Sequence, residues 1–250
     1  MERLHARTLV PLVVSLLLAA ACDGTTDGRP NSAATSPRPV TTPTCPNHDA
    51  VVSDASLAKP GSLTGDVDGD GSEDEVRLAV DEGGPEDCRA FVIVDSGDVV
   101  HALGIEQDGM TFDLNLPQLR GLAEIDGRAG AEIVVDLVAG ASTQFAGAFT
   151  MGRGPLERLE IAEGVASSDL FAYGGSVGHL DGVDCAPDDE IVVTTAVPRG
   201  VRYLVERRFL VLDEGEFRTT RTERARAPFE GLAERYPELA GAPFATCPSA

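Results

Sequence analysis

The sequence predicts an all-β protein built from three four-stranded antiparallel repeats. Short segments of alternating polar and apolar residues, typical of half-buried strands, fill most of the chain after residue 45. The same order of loop and strands occurs three times, and helical periodicity is almost absent. Each repeat has the strand arrangement of a propeller blade, so the predicted architecture is β-propeller-like, either incomplete or closed into a compact assembly.

Each predicted repeat begins with a loop that contains an aspartate at a corresponding position. These residues are Asp68, Asp126 and Asp181, at intervals of 58 and 55 residues. The strands that follow are predicted at 76–80, 89–94 and 99–103, at 132–138, 144–151 and 156–161, and at 190–197, 203–212 and 217–224. A short strand before each loop completes the four. One short helix is predicted at 229–236, between two prolines.

The number of repeats leaves three architectures open, because propellers typically have at least four blades. A divergent fourth unit is one alternative, formed by residues 45–61 together with the C-terminal tail. The repeats could instead close into a compact three-unit assembly. The third alternative is an open fragment whose free strand edges pair with another protein.

The loop of the first repeat has the spacing of a calcium-binding loop. Asp66, Asp68, Asp70 and Asp74 occupy positions 1, 3, 5 and 9, and Gly71 occupies position 6, where the backbone turns sharply. An EF-hand does not fit, since position 12 is basic and a strand pattern follows the loop. The loops of the other two repeats lack the full ligand set and are predicted to be structural turns.

This first loop resembles the calcium loops of FG-GAP and VCBS repeats, which build integrin alpha-like β-propellers. In that family an Asp-x-Asp-x-Asp-Gly-x-x-Asp loop leads directly into a strand, and residues 66–74 match it position by position. The resemblance covers residues 61–226. It implies an extracellular module for adhesion or ligand binding, with a structural calcium ion held by Asp66, Asp68, Asp70 and Asp74. The competing interpretation is a solvated acidic turn.

The N-terminus predicts export and lipid anchoring. Residues 1–21 combine two arginines, a short apolar run and a small-residue end, as lipoprotein signal peptides do. Cys22 follows directly and is the predicted site of lipidation, with a secretory peptide and an incidental thiol as the alternative. Residues 22–44 are rich in Ser, Thr and Pro and form a predicted disordered tether. The folded repeat domain is predicted at 45–250.

Four cysteines remain once Cys22 carries lipid, and an even number suits an oxidising compartment. Spacing leaves three connectivities open. The favoured pairing is Cys45 with Cys88 and Cys185 with Cys247, because each bridge would fasten one end of the domain to its nearest repeat.

Composition limits the partners. The chain has 41 acidic and 20 basic residues and a formal net charge of −21, which argues against nucleic acid. The one basic region, residues 199–226, is predicted to pair with the protein's own carboxylates, or else to meet an anionic polymer or lipid headgroup. The predicted partners are the membrane, through the lipid anchor, and an extracellular protein or cell-wall ligand.

The sequence favours a non-enzymatic binding or scaffolding module over an enzyme. This lipoprotein would sit at the extracytoplasmic face of the cell membrane. The alternative is an extracellular cell-envelope hydrolase with catalytic residues in its loops, for which His179 beside Asp181 is the candidate pair. A turn-capping histidine is the simpler interpretation of His179. The acidic residues around Cys185 are interpreted as a solvated loop rather than a second calcium site.

Overall fold

The computed structural model describes residues 45–85, 88–105, 117–152, 154–162, 170–213 and 215–248. The helices are α1 (His48–Ser53) and α2 (Leu232–Arg235), and 3-10 turns lie at Ala55–Leu57 and Pro237–Leu239. The strands are β1 (Ala58–Gly65), β2 (Asp74–Val80), β3 (Ala90–Asp95), β4 (Val100–Gly104), β5 (Gln118–Ala123), β6 (Glu132–Ala139), β7 (Thr143–Thr150), β8 (Glu157–Arg158), β9 (Glu160–Ile161), β10 (Phe171–Ser176), β11 (His179–Ala186), β12 (Glu190–Arg199), β13 (Arg202–Asp213) and β14 (Glu216–Ala227).

The predicted signal peptide, Cys22 and the predicted tether lie outside the described residues. Neither helix in the described part of the chain has the length and apolar character needed to span a bilayer.

The prediction of an all-β fold with antiparallel strands is confirmed. The first two predicted repeats each form a four-stranded meander, in which consecutive strands pair antiparallel. These are β1–β4 and β5–β8. The third repeat has five strands, β10–β14, because strand β11 occupies the predicted loop after β10. The predicted strands agree with these elements because their alternating residues match the two faces of each strand.

The three meanders do not form three separate blades. The first is a four-stranded sheet of its own, whereas the other two belong to one ten-stranded sheet. Strand β10, which lies where the short strand before the third loop is predicted, joins them by pairing with β7 on one side and β11 on the other. Neither of the described sheets closes on itself through its strand order.

Strand β6 shows how the two sheets stack. Ile133, Val135 and Leu137 are buried in one core cluster together with residues of the first sheet such as Val76 and Val92. The residue between them, Val134, belongs to a second cluster that lies on the other face of the ten-stranded sheet. A strand that is buried on both faces has a continuous run of apolar residues in its sequence, and Ile133-Val134-Val135 is such a run.

Two disulfides secure the ends of the described domain, with the pairing that the sequence analysis favours. Cys45 is bonded to Cys88 and holds α1 against the outer face of the first sheet. Cys185 is bonded to Cys247 and holds the C-terminal segment against β11.

Two predicted elements differ in the structure. The predicted strand 156–161 is split into β8 and β9, because Leu159 turns into the core between them. Its first half pairs with β7 and its second half pairs with β14. The predicted helix 229–236 is reduced to α2, since Gly231 takes a positive φ of 72° and prevents a longer helix.

Candidate metal centre

The first acidic loop connects β1 to β2 and is folded around its own carboxylates. Asp66 Oδ1 accepts hydrogen bonds from the backbone N–H groups of Gly69 and Asp70, and Asp66 Oδ2 accepts one from Gly71. Asp74 begins β2, is 2% exposed, and its Oδ2 accepts from the N–H groups of Val67 and Asp68. The backbone therefore wraps around two fixed carboxylates before any ion is considered.

The structure brings three of the four predicted ligands together. Asp66, Asp68 and Asp74 each offer a carboxylate oxygen, and these oxygens all lie within 4.8 Å of one another. Asp70 lies outside this group, and its Oδ1 accepts a hydrogen bond from the Ser72 N–H at 2.6 Å. The convergence of Asp66 and Asp74 follows from their hydrogen bonds to the loop backbone.

The chemistry of this donor set fits calcium. All of the donors are hard carboxylate oxygens, the type that Ca²⁺ takes in six- to eight-fold coordination, whereas zinc and copper prefer nitrogen and sulfur. Each carboxylate has roughly four lone-pair sites, so its bonds to backbone N–H groups leave further sites for a cation. Three negative charges at this separation also repel one another unless a cation lies between them.

The second loop, between β5 and β6, has the same hydrogen bonds from its backbone to a carboxylate at the start of the next strand, but it also contains an arginine. Glu132 begins β6 as Asp74 begins β2, and its Oε2 accepts hydrogen bonds from the N–H groups of Ile125 and Asp126. Arg128 takes the place of Asp70, and its Nε lies 3.8 Å from Asp126 Oδ2. A guanidinium thus supplies positive charge within this loop.

Glu132 is buried, and that burial changes its acidity. Its side chain is 1% exposed, and desolvation raises the pKa from an ordinary value of 4.5 to about 7. The nearby charge of Asp126 also raises the pKa, while the N–H donors of Ile125 and Asp126 and the hydroxyl of Thr150 lower it. The sequence pattern does not single out this glutamate, since an acidic residue at a strand start usually faces solvent.

The two loops pack directly against each other. The Ala131 N–H donates to the Asp66 carbonyl at 2.8 Å. Gly69 and Gly130 both have positive φ, and a Cβ at Gly130 would lie 2.5 Å from the Val67 carbonyl oxygen. This contact couples the carboxylate cluster to the second repeat.

Replacing Gly130 by alanine should therefore destabilise the fold more than positive φ alone requires. Gly97 is the matched control, because its φ of +81° is similar to the +98° of Gly130 but its Cβ would meet open space. We expect Gly97→Ala to lower the free energy of unfolding by about 1 kcal/mol and Gly130→Ala by about 3 kcal/mol. Chemical denaturation of both variants measures the difference, and equal losses would show that the loops do not depend on this contact.

The predicted third loop is wrong. His179, Asp181 and Cys185 lie within β11, which pairs with β12 without interruption from Leu180 to Ala186. Only residues 187–189 remain for the turn, and Asp188 and Asp189 adopt positive φ there. The sequence around Asp181 is similar to that of the first two loops and therefore predicts a longer loop, but these residues form a fully paired strand instead.

The arrangement around His179 differs from that of a catalytic triad. The Nε2 atom of His179 lies 3.5 Å from Asp181 Oδ2 and 2.6 Å from the Thr143 hydroxyl oxygen. A triad needs the nucleophile and the orienting carboxylate on opposite ring nitrogens, whereas both groups here approach the same one. This geometry supports a structural contact on the strand surface.

The acidic residues near Cys185 line a surface pocket of about 400 Å³, which includes Glu124, Asp188 and Asp189. Asp184 is not part of its wall, because its Oδ1 is buried and accepts from the Thr246 N–H at 2.8 Å. Glu190 binds the Thr220 hydroxyl and the guanidinium of Arg221, which hold its pKa below the usual value. Asp184 and Glu190 therefore have separate structural partners.

The basic region pairs mostly with the protein's own carboxylates, as the sequence analysis expects. Arg207 contacts Glu238 and Glu223, Arg208 and Arg224 contact Glu206, Arg218 contacts Asp213 and Glu216, and Arg221 contacts Glu190. Of these carboxylates, Glu238 is the most buried, and the Thr194 hydroxyl also donates to it at 2.6 Å.

One polar network was missed because its members are far apart in sequence. The Tyr173 hydroxyl donates to Asp136 Oδ1 at 2.7 Å, and Arg120 Nε donates to Asp136 Oδ2. Burial, followed by the bond to Asp136, raises the pKa of Tyr173. The sequence signal that could have indicated this network is Asp136 within an otherwise apolar strand, since a buried carboxylate requires hydrogen-bond or charged partners.

No protein-family model, curated protein or solved structure significantly matches this chain.

Proposed function

We propose that this protein is a calcium-stabilised binding or scaffolding module, anchored by a lipid at Cys22 to the extracytoplasmic face of the cell membrane. One observation carries the calcium assignment: Asp66, Asp68 and Asp74 place carboxylate oxygens within 4.8 Å of one another at the junction of two loops. Asp70 is proposed as a fourth ligand on the sequence pattern alone.

The ion would stabilise the first loop and, through it, the contact between repeats. Asp74 is fixed at the start of β2, and the Asp66 carbonyl accepts a hydrogen bond from the second loop. A cation held by both residues would neutralise the repulsion between the carboxylates. Its role is therefore structural, and binding of a partner falls to the surfaces of the two sheets.

The proposed location agrees with the covalent structure. Disulfides persist in oxidising compartments, and the described domain contains two. Calcium is plentiful outside cells, where sites with dissociation constants of about 10⁻⁴ to 10⁻³ M are effective.

Calcium should raise the thermal stability of the chain from residue 22 onward, prepared with Cys22→Ser to prevent lipidation. At a calcium concentration about 100 times the dissociation constant, the gain should be about 2.7 kcal/mol, because the ion binds only the folded state. Thermal unfolding in calcium and in chelator measures this gain, and calorimetric titration gives the affinity.

Asp68→Ala should abolish the gain, because it removes one of the converging carboxylates. The matched control is Asp126→Ala, which removes the corresponding aspartate of the second loop, where Arg128 supplies the positive charge. That variant should retain the full response to calcium. A wild-type chain that melts identically in calcium and chelator would reduce the loop to an acidic turn.

A further inference from the structure

One end of the ten-stranded sheet combines exposed apolar residues with arginines. The turn from β10 to β11, the turn from β12 to β13 and the end of β14 all lie at this end, because β11–β14 pair antiparallel in register. We call it the hairpin end and define it by Val177, Val201, Phe229, Arg199, Arg202 and Arg226.

The apolar residues of the hairpin end are unusually accessible. Val201 is 96% exposed, Val177 is 76% exposed and Phe229 is 55% exposed. Tyr203 connects their segments, since its hydroxyl donates to the Val177 carbonyl at 2.6 Å and its ring lies 5.7 Å from that of Phe229. The three side chains are therefore exposed on segments that Tyr203 holds together.

The arginines of the hairpin end differ from those along the rest of the β13–β14 hairpin. In the described part of the chain, Arg199, Arg202 and Arg226 form no ion pair, although the arginines from 207 to 224 do. Arg199 and Arg202 stand directly opposite each other across the strand pair. The Arg202 guanidinium donates a hydrogen bond to the neutral Arg226 carbonyl at 3.0 Å. Like charges directly opposite each other are unfavourable, and an anion outside the protein would reduce that repulsion.

The opposite end of the same sheet is acidic. It contains the turn at 187–189, with Asp188 and Asp189, and the second loop, in which Arg128 offsets the charge of Asp126 and Glu124 adds a further negative charge. This end would be repelled by an anionic surface, so the distribution of charge gives the sheet a preferred orientation.

We propose that the hairpin end docks onto the surface of an anionic lipid bilayer. Apolar side chains at a turn can enter the boundary between headgroups and acyl chains, while flanking arginines remain at the level of the phosphates. Both chemistries occur together here, on a chain whose formal net charge is −21. The carboxylate cluster and the second loop then face away from the membrane.

This inference rests on the proposed lipid anchor, which would keep the domain near the bilayer. Residues 22–44 can extend to about 75 Å when fully stretched. A compact domain of this size is about 45 Å across, so the tether would allow any end of the domain to reach the membrane. The lipid would raise the local concentration of the hairpin end at the surface.

Vesicle binding of the unlipidated chain tests the proposal separately from the anchor. The chain from residue 22 onward with Cys22→Ser is mixed with phosphatidylcholine vesicles that contain about 30% phosphatidylglycerol, and with vesicles of phosphatidylcholine alone. We expect sedimentation with the anionic vesicles only. Val201→Asp, and separately Arg199→Gln with Arg202→Gln, should each lower the partition coefficient roughly tenfold or more.

Val99→Asp is the matched control, because Val99 is 54% exposed in the turn between β3 and β4 of the other sheet. It adds the same negative charge and should leave binding unchanged. Circular dichroism verifies that each variant is folded.

Equal binding by wild type and Val201→Asp, or no binding by the folded wild-type chain, would overturn the proposal. Binding to an anionic cell-wall polymer but not to the vesicles would likewise overturn it. Acylation is measured on its own, from the mass of the N-terminal peptide in membrane extracts. An unmodified Cys22 with intact vesicle binding would refute the anchor and leave the hairpin end as a lipid-binding surface.

Discussion

Replacing Cys185 and Cys247 by alanine should lower the free energy of unfolding by about 4 kcal/mol. The two cysteines are 62 residues apart, and a cross-link that closes a loop of this length removes much conformational entropy from the unfolded chain. A loss of this size is a large part of the stability of a typical domain, so we expect a clear fall in the denaturant midpoint.

The same disulfide also organises the C-terminal segment. Asp184, next to Cys185, accepts a hydrogen bond from the Thr246 N–H, and the Phe244 N–H donates to the Val183 carbonyl at 3.1 Å. The ring of Phe244 packs edge-on against Phe171, with 5.2 Å between the ring centroids. Loss of the bridge should therefore raise amide hydrogen exchange first in residues 244–247.

Denaturant unfolding and hydrogen exchange measure the two effects, and Cys45→Ala with Cys88→Ala provides the comparison. That disulfide joins residues 43 apart and holds α1, so its removal should lower global stability by a similar amount, about 4 kcal/mol. It should not increase amide hydrogen exchange at residues 244–247. A loss below about 1 kcal/mol from the Cys185 variant would mean that Phe244 and Asp184 suffice to hold the segment.

The strands of each repeat could be predicted because their residues alternate along the chain, which is local information. Ile133, Val134 and Val135 likewise indicate a strand buried on both faces. How the repeats associate depends on contacts between distant segments. Strand β10 carries the tripeptide Tyr173-Gly174-Gly175, which is a poor strand signal, and its pairing with β7 and β11 merges two repeats into one sheet.

In the candidate site, too, local features could be predicted from the sequence, whereas contacts between distant segments could not. The spacing of Asp66, Asp68 and Asp74 is encoded within nine residues, and the structure brings their oxygens together. The third loop could not be excluded from sequence, because a Gly-x-x-Asp-Gly pattern fits both a loop and the paired strand that contains Asp181. The close approach of Gly130 to the Val67 carbonyl, which leaves no room for a Cβ, depends on the packing of two repeats and has no local signal.

Glu132→Gln should remove much of the pH dependence of stability between about pH 4.5 and 7. Burial raises the pKa of Glu132 from 4.5 to about 7 in the folded chain, so the fold favours the protonated acid. This contribution is fully present below the unfolded pKa and is lost as the pH rises through the folded pKa. The wild type should lose about 3 kcal/mol across this range, whereas glutamine, which does not ionise, should lose none of it at this position.

Denaturant unfolding at intervals from pH 4.5 to 8 measures the slope, with chelator present so that calcium binding does not contribute. Glu157→Gln is the matched control, because Glu157 begins β8 but its side chain is exposed. It should keep the wild-type slope. Parallel curves for the wild type and Glu132→Gln would show that Glu132 stays hydrated in the folded chain.

The expected effect of Glu132→Gln at neutral pH distinguishes the two loops. A glutamine oxygen can still accept from the N–H groups of Ile125 and Asp126, and its amide can donate towards Thr150, so the frame of the loop should survive. The variant should then be more stable than the wild type above pH 7, by up to about 3 kcal/mol. Asp74→Asn in the first loop should instead weaken the response to calcium, because there the carboxylate charge has a proposed cation as its partner. Opposite effects of the two substitutions at neutral pH would therefore separate the carboxylate that caps a loop from the one that also binds an ion.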